Sequence, residues 1–322
     1  MSAPSSYTYK LTDEQGKALE DIVRGLNYEF REVPHTRFAG SREKVSLAFY
    51  NSGKLVVQGK GAKEFIEFIL EPEILKEATL GYEDALNPDL LLPRIGVDES
   101  GKGDFFGPLC IAGVYVNEGA VKHLQEKGVK DSKNVSSDKK IAELAKAIRE
   151  TPGIVYDVVA IGNEAYNRLY KTMHSVNKLL AWGHARVIEN LMGRRYQMKP
   201  EPVRAISDQF ASDKATVGKA LMSLGREIEL IQRHKAESDL AVAAASILAR
   251  HEFVERLKSM GEKFELEIPK GASKKVEEIG REFVDRYGVD ELPKVAKMHF
   301  RTSYRVRGLP EPAKKEWRKG KK

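Results

Sequence analysis

Four acidic residues stand where they could do chemistry: Asp98, Glu99, Asp208 and Glu237. Asp98 and Glu99 follow the apolar run Ile95-Gly-Val97, and a glycine-spaced basic loop, Ser100-Gly101-Lys102-Gly103, comes directly after them. Paired carboxylates can hold a divalent cation through hard oxygen donors, and glycines let a phosphate chain come close to the backbone. Asp208 lies near the end of a second strand-like run, Pro202-Val-Arg-Ala-Ile-Ser-Asp-Gln-Phe210. Glu237 precedes a helix of small residues, Ala241-Val-Ala-Ala-Ala-Ser-Ile-Leu-Ala249. Such a helix can lie tight against a sheet and bring Glu237 to the other acids. The pattern points to a metal-dependent enzyme acting on phosphates.

Competing chemistries fit less well. Gly101, Gly103 and Gly107 give Gly-x-Gly-x-x-x-Gly, and an apolar strand follows instead of the helix a dinucleotide-binding loop needs. No Gly-Lys-Ser/Thr closes a phosphate loop, and no Gly-x-Ser-x-Gly nucleophile elbow occurs. The seven histidines are scattered without zinc spacing, and none is assigned to metal. The single cysteine, Cys110, rules out an intramolecular disulfide and a cysteine-cluster zinc site, and reads as a buried structural thiol.

The acids need elements to carry them. Side chains alternate along a strand, so Asp98 and Glu99 cannot share one face of an ideal strand; one must lie at the strand end or curl around it. From Arg94 onward the pattern is α/β. Strands are expected at 95–97, 109–116, 154–161, 203–206 and, more weakly, 227–231, with helices over 138–150, 177–194, 239–260 and 276–287. That mixture predicts a central sheet covered by helices. Tyr156, Tyr166 and Trp182 read as packing residues, not base-stacking groups.

The first part of the chain has another character. Residues 12–27 read as a helix with Thr12 as N-cap and Leu19, Ile22, Val23 and Leu26 as its apolar stripe. Residues 44–59 read as a hairpin turning at Asn51-Ser52-Gly53, and a helix from about Ala62 to Leu70 should pack Phe65, Ile66 and Ile69. Residues 31–63 hold seven Lys/Arg against two Asp/Glu, whereas residues 64–93 hold one against eight. A basic sheet backed by acidic helices suits docking of nucleic acid on the sheet. Pro88 and Pro93 mark a joint over 76–93.

Taken together, these segments resemble ribonuclease HIII of the type 2 ribonuclease H family. The motifs are Val97 to Leu109, Val-Lys-Asp-Ser-Lys (129–133), Ile-Ser-Asp-Gln-Phe (206–210), His-Lys-Ala-Glu-Ser (234–238) with the helix to Arg250, Ile-Pro-Lys-Gly-Ala (268–272) and Lys-Met-His-Phe (297–300). Phe49 to Gly61 resembles the strand-turn-strand of a TATA-binding-protein repeat. The resemblance implies a ribonuclease H-like mixed central sheet flanked by helices, preceded by a small α+β TATA-binding-protein-like domain. The expected division is 1–75 for that substrate-binding domain, 76–93 for the linker, 94–300 for the catalytic domain and 301–322 for a basic tail. Ribonuclease HII, the sister group, typically has alanine after the acidic pair, arginine in the glycine loop and aspartate as the fourth acid. Here Ser100, Lys102 and Glu237 stand at those places.

The resemblance further implies an active site of Asp98, Glu99, Asp208 and Glu237 holding Mg2+ or Mn2+. Two such ions can activate a water, relieve phosphate charge and stabilise a leaving oxygen. Asp98 is expected as the shared ligand, Glu99 and Asp208 as completing the shells, and Glu237 as holding a water or the second ion. The expected reaction is endonucleolytic hydrolysis of the RNA strand of RNA/DNA hybrids, leaving 5′-phosphate and 3′-hydroxyl ends. The alternatives are cleavage at single ribonucleotides in DNA and hybrid binding without catalysis. The backbone of Ser100, Gly101, Lys102 and Gly103 is the candidate reader of the 2′-hydroxyl that marks RNA. Ser132 and Lys133 are candidate phosphate contacts, and Lys54 and Lys60 flank the hairpin that would grip the hybrid.

Hydrophobic residues make up 41% and charged residues 31% of the 322, a composition of folded rather than disordered chains. The net charge of +7 resides in residues 301–322, which hold nine Lys/Arg against two Asp/Glu. This stretch is either a solvated end or an arm attracted to phosphate. The first residues lack the basic start and apolar run of a signal peptide, and 240–249 is too short to span a bilayer. A cytoplasmic monomer without an obligate protein partner is expected.

Overall fold

Alternation builds the first sheet. In the computed structural model, which describes residues 6–76, 91–129, 135, 137–209, 215–233 and 236–311, the chain divides into two compact units, 1–90 and 91–322. Of the expected 76–93 joint, residues 77–90 lie outside the described residues. The first unit runs β1 (Ser6–Lys10), α1 (Asp13–Gly25), β2 (Glu29–Phe30), β3 (Thr36–Arg42), β4 (Val45–Tyr50), β5 (Lys54–Gln58) and α2 (Ala62–Phe65). Its strands form one antiparallel sheet in the order β1-β5-β4-β3-β2. Leu47, Phe49, Leu55 and Val57 point to one face and pack beneath Leu19 and Val23 of α1. The opposite face carries Thr8, Lys10, Ser46, Lys54 and Gln58, because side chains alternate and the register pairs Lys10 with Lys54 and Ser46 with Gln58.

Local chemistry sets the boundaries. Thr12 Oγ1 accepts from the Gln15 amide at 3.2 Å while Gln15 Oε1 accepts from the Thr12 amide at 2.9 Å, a reciprocal cap that starts α1. The hairpin turns where expected: Gly53 takes φ +80° and its amide donates to Tyr50 O at 2.9 Å. The second helix differs from expectation. After Phe65 it widens into a π-helix over Ile66–Leu75 that contains Pro72, whose ring nitrogen has no hydrogen to give an α-helical bond. Ile66, Leu70 and Ile74 are buried, Ile69 is half-buried, and Phe68 faces solvent.

The second unit is α/β. Its elements are β6 (Arg94–Ser100), β7 (Leu109–Val116), α3 (Glu118–Glu126), α4 (Asp138–Glu150), β8 (Val155–Ile161), α5 (Asn163–Met173), α6 (Val176–Met192), β9 (Arg204–Asp208), α7 (Ala215–Ala220), β10 (Glu229–Arg233), α8 (Leu240–Lys263), α9 (Lys274–Tyr287), α10 (Leu292–Val295) and α11 (Thr302–Val306). The sheet order is β10-β9-β6-β7-β8, with β6, β9 and β10 mutually parallel and β7 and β8 antiparallel to their neighbours. Strand β10 begins at 229, after a 3-10 turn over Gly225–Glu227 that takes the start of the expected 227–231 strand.

Helices cover both faces of this sheet. Ala112, Val114 and Val116 pack under the alanine-rich start of α8. Ile111 packs on the other face, among Leu180, Val187, Ile188 and Leu191 of α6. A Cβ on Gly96 would stand 2.2 Å from the Ala241 backbone carbon, so α8 lies directly on β6 and only glycine fits. Arg94 and Asp239 tie the starts of β6 and α8 by a fully enclosed ion pair, Nε to Oδ2 at 2.8 Å, while Asp239 Oδ1 accepts from the Ala241 amide at 2.9 Å. Residues 301–311, expected in the tail, belong to this folded unit. Val306 joins its core, and Arg305 pairs with Glu277 and Glu311. Residues 312–322 lie outside the described residues.

Candidate active site

Parallel strands β6 and β9 end side by side, Val97 opposite Ser207, so Asp98, Glu99 and Asp208 emerge at the same edge of the sheet. All three line one cleft of about 360 Å³ together with Ser100, Gly101, Lys102, Gly103, Val242, Ser246 and Arg250. Strand β6 stays regular through both acids, which pair with Ala112 and Ile111 of β7. Of the two expected ways to separate the acids, a place at the strand end or a curl around it, β6 shows the first: Glu99 is its next-to-last residue. Each acid leans on its own face: Asp98 accepts from the Ser246 hydroxyl of α8, and Glu99 Oε2 lies 3.0 Å from His184 Nε2 of α6. Lys102 reaches the other oxygen of Glu99 at 3.5 Å. The chain then turns at Gly101, where φ is +90° and a Cβ would lie 2.3 Å from Pro108 O.

The electrostatics set the two carboxyls apart. Burial and the adjacent Glu99 charge push Asp98 up to about 6, against the pull of Ser246, the Glu99 amide and His184. Burial would raise Glu99 as well, but His184 and Lys102 outweigh it and hold this carboxyl below its ordinary range.

Asp208 Oδ1 accepts from the Ala236 amide at 3.4 Å. Ala236 itself is buried with Ile206 and Val242, which seats the 3-10 turn Ala236–Ser238 beside the end of β9. Glu237 sits in that turn; its side chain lies outside the described residues. Ser132 and Lys133 lie outside them as well. Among the described residues no three His, Cys, Asp or Glu side chains form a ready cage for a metal ion. Lys54 and Lys60 are exposed in the first unit, Lys54 at the head of β5 and Lys60 just beyond its end.

Three cleft neighbours were not singled out from sequence. Val242, Ser246 and Arg250 follow one another at four-residue steps along α8, so the quoted alanine motif already held that signal. Arg250 Nη1 donates to Val135 O at 2.9 Å and Nη2 stands 3.6 Å from Asp138. His184 had no such signal. It lies 85 residues from Glu99 in an apolar helix, and only the packed sheet brings the two together.

The family profile described as Ribonuclease HII matches residues 95–303. A ribonuclease HIII of Chlamydia pneumoniae is 46% identical over 303 residues, covering 93% of this chain and 97% of that protein. The chain belongs to the ribonuclease HIII family. Bst-RNase HIII, solved in complex with Mn2+, superposes with a TM-score of 0.64 at 28% identity, covering 94% of this chain and 98% of that one. The RNase HII of the PCNA:RNase HII complex from Archaeoglobus fulgidus gives a TM-score of 0.55 at 26% identity, but covers only 66% of this chain against 96% of its own. The ribonuclease HIII match thus spans much more of the chain. As a member of this family, the chain is a metal-dependent endoribonuclease with a ribonuclease H-like fold.

Proposed function

We propose that the cleft cuts the RNA strand of RNA/DNA hybrids and leaves 5′-phosphate and 3′-hydroxyl ends. The observation that carries the reading is the meeting of Asp98, Glu99 and Asp208 beside a glycine-lysine loop in one cleft. The donor set is all carboxylate oxygen, which suits Mg2+ or Mn2+ rather than a metal that prefers sulfur or imidazole. Bound there, such ions would supply charge relief for the scissile phosphate and would lower the pKa of a water toward neutral. Asp98, Glu99, Asp208 and Glu237 would hold them.

The chain's own groups do the remaining work. His184 and Ser246 fix the carboxylates in place, so little reorganisation is left when the cations arrive. The backbone of Ser100, Gly101, Lys102 and Gly103 can contact a ribose 2′-hydroxyl, the group DNA lacks. Ser132 and Lys133 are assigned to nearby phosphates. The outer sheet face of the first unit, with Lys54 and Lys60 at its hairpin, is assigned to docking the hybrid as a TATA-binding-protein-like domain. Among the described residues no helix is long and apolar enough to cross a membrane; a cytoplasmic monomer is the arrangement proposed.

The test is cleavage of a matched set of labelled duplexes: RNA/DNA hybrid, double-stranded DNA, double-stranded RNA, and DNA carrying one ribonucleotide. Cleavage of the hybrid alone, with 5′-phosphate ends, is expected. A 2′,3′-cyclic phosphate would mean that the ribose hydroxyl is the nucleophile and that the reading is wrong.

A further inference from the structure

The cleft-lining loop passes into β7 through residues 104–107, and one buried side chain holds that passage. Lys297 has no solvent exposure. Its Nζ donates to the carbonyl oxygens of Gly107 at 2.5 Å, Asp104 at 2.9 Å and, more loosely, Phe106 at 3.4 Å. An ammonium has three donors and no acceptor, so three carbonyls use its full capacity.

The main chain around it is clasped as well. Phe106 and Ala296 form an isolated antiparallel bridge, with Lys297 N donating to Phe105 O at 2.8 Å and Gly107 N to Val295 O at 3.0 Å. Asp104 Oδ1 accepts from the Gly271 amide at 2.6 Å, and Phe105 N donates to Gly271 O at 2.9 Å. Asn163 Nδ2 adds a second donor to Gly107 O at 2.8 Å. The clamp is one hydrogen bond from the cleft, because Asp104 N donates to Gly101 O at 3.4 Å.

Enclosing an ammonium is costly: burial pulls Lys297 down to about 8, although Asp104 and Cys110 oppose the shift. An apolar side chain would avoid that cost and lose the three carbonyl bonds. The cation's distinctive contribution is therefore the shape of the loop.

We propose that Lys297 is a positioning residue for cleavage, fixing residues 104–107 and through them the Ser100–Gly103 loop that aligns the ribose beside the scissile phosphate. The inference rests on the reading of the cleft given above. Ångström-scale misplacement of a substrate-aligning group can cost about 100-fold in rate without weakening binding.

The test uses the full-length protein with Lys297→Met, which keeps length and removes charge and donors. Circular dichroism and hybrid binding should stay near wild type, while kcat falls roughly 100-fold and KM changes little. The penalty for a 2′-deoxy substitution at the nucleotide 5′ to the cut should shrink as well, since a loosened loop no longer reads that hydroxyl. A variant that only lost stability would lose activity with its folded fraction and keep the 2′-deoxy penalty intact, and that result overturns the proposal. So does a folded variant with wild-type kcat and discrimination. Should Lys297→Met fail to fold, Asn163→Ala, which removes the other donor to Gly107 O, must show the same kcat-selective loss in smaller degree, or the clamp is rejected. Asp98→Asn, run in parallel, separates the levels. Retained turnover in that variant sinks the reading of the cleft, whereas an inactive Asp98→Asn beside a normal Lys297→Met sinks the clamp alone.

Discussion

The sheet of residues 6–58 packs helix on one face and keeps Thr8, Lys10, Ser46, Lys54 and Gln58 on the other, whereas the sheet of residues 94–233 is packed by helices on both faces and carries its acids at strand ends. The difference is one of tolerance. A polar sheet face tracks a phosphate backbone through many weak, interchangeable contacts, each screened by salt. Strand ends held in a two-sided core cannot shift, and that rigidity suits chemistry that fails when a group moves by an ångström. Affinity is expected to reside mainly in the first sheet and turnover in the second.

The sharpest way to break that division is Asp98→Asn. The amide keeps the shape and loses the charge, so turnover should fall by roughly three orders of magnitude, the scale of losing charge stabilisation at a reacting centre. Hybrid binding should hardly change. Near-normal cleavage by a folded variant would remove Asp98 from the mechanism. The same substitution carries a signed pH prediction for chelator-treated protein. Asp98 stands near 6 when folded against an ordinary 3.8, so its ionised form costs stability. That cost is absent below about pH 4, grows between about pH 4 and 6, and is complete above. Metal-free Asp98→Asn should therefore gain about 3 kcal/mol over wild type at pH 7.5 and lose that advantage near pH 4, measured by urea unfolding.

Removing residues 1–90 probes the other side. Binding should weaken about 100-fold at moderate salt, the slope of log affinity against log salt should flatten, and kcat on saturating hybrid should stay within a few-fold. An unchanged affinity and slope would leave the first unit without the docking role.

Much of the local architecture is legible in the sequence. The Thr12 cap, the Asn51-Ser52-Gly53 turn and the helix over 138–150 follow from local propensity and stand where expected. Asp98, Glu99 and Asp208 were visible as a set because each follows an apolar run that had to be a strand. Long-range packing was not legible. His184 meets Glu99 only because α6 crosses β6, and Lys297 meets Gly107 across 190 residues. The π-helix after Phe65 escaped because an apolar run such as Phe65-Ile66 and Ile69-Leu70 fits α and π winding alike; Pro72 was the unused clue.

His184→Leu tests how far the core serves the chemistry. It removes the partner of Glu99 Oε2 and leaves that carboxylate loosely held. Loss of an orienting partner behind a metal ligand typically costs 10–100-fold in metal affinity, so half-maximal activity should require about that much more Mn2+. Turnover at saturating metal should recover most of its wild-type value. A variant that needs no extra metal would reduce His184 to a packing residue.

The finest test reverses charge on the face proposed to dock the hybrid. Lys54 is exposed at the head of β5 beside Lys10, and Lys60 is exposed beyond the strand's end, so neither supports the core. Reversing both to glutamate should leave the melting temperature within a degree or two, since exposed substitutions shift stability by about 0.5 kcal/mol or less. If each lysine neutralises one phosphate, the salt slope should fall by about 2 and hybrid affinity by roughly tenfold at low salt, with the gap closing as salt rises. The cleavage rate of bound hybrid should not move, because the acids stand on a separate unit with its own core. A double variant that binds normally but cuts slowly would invert the assignment and place these lysines in turnover instead of docking.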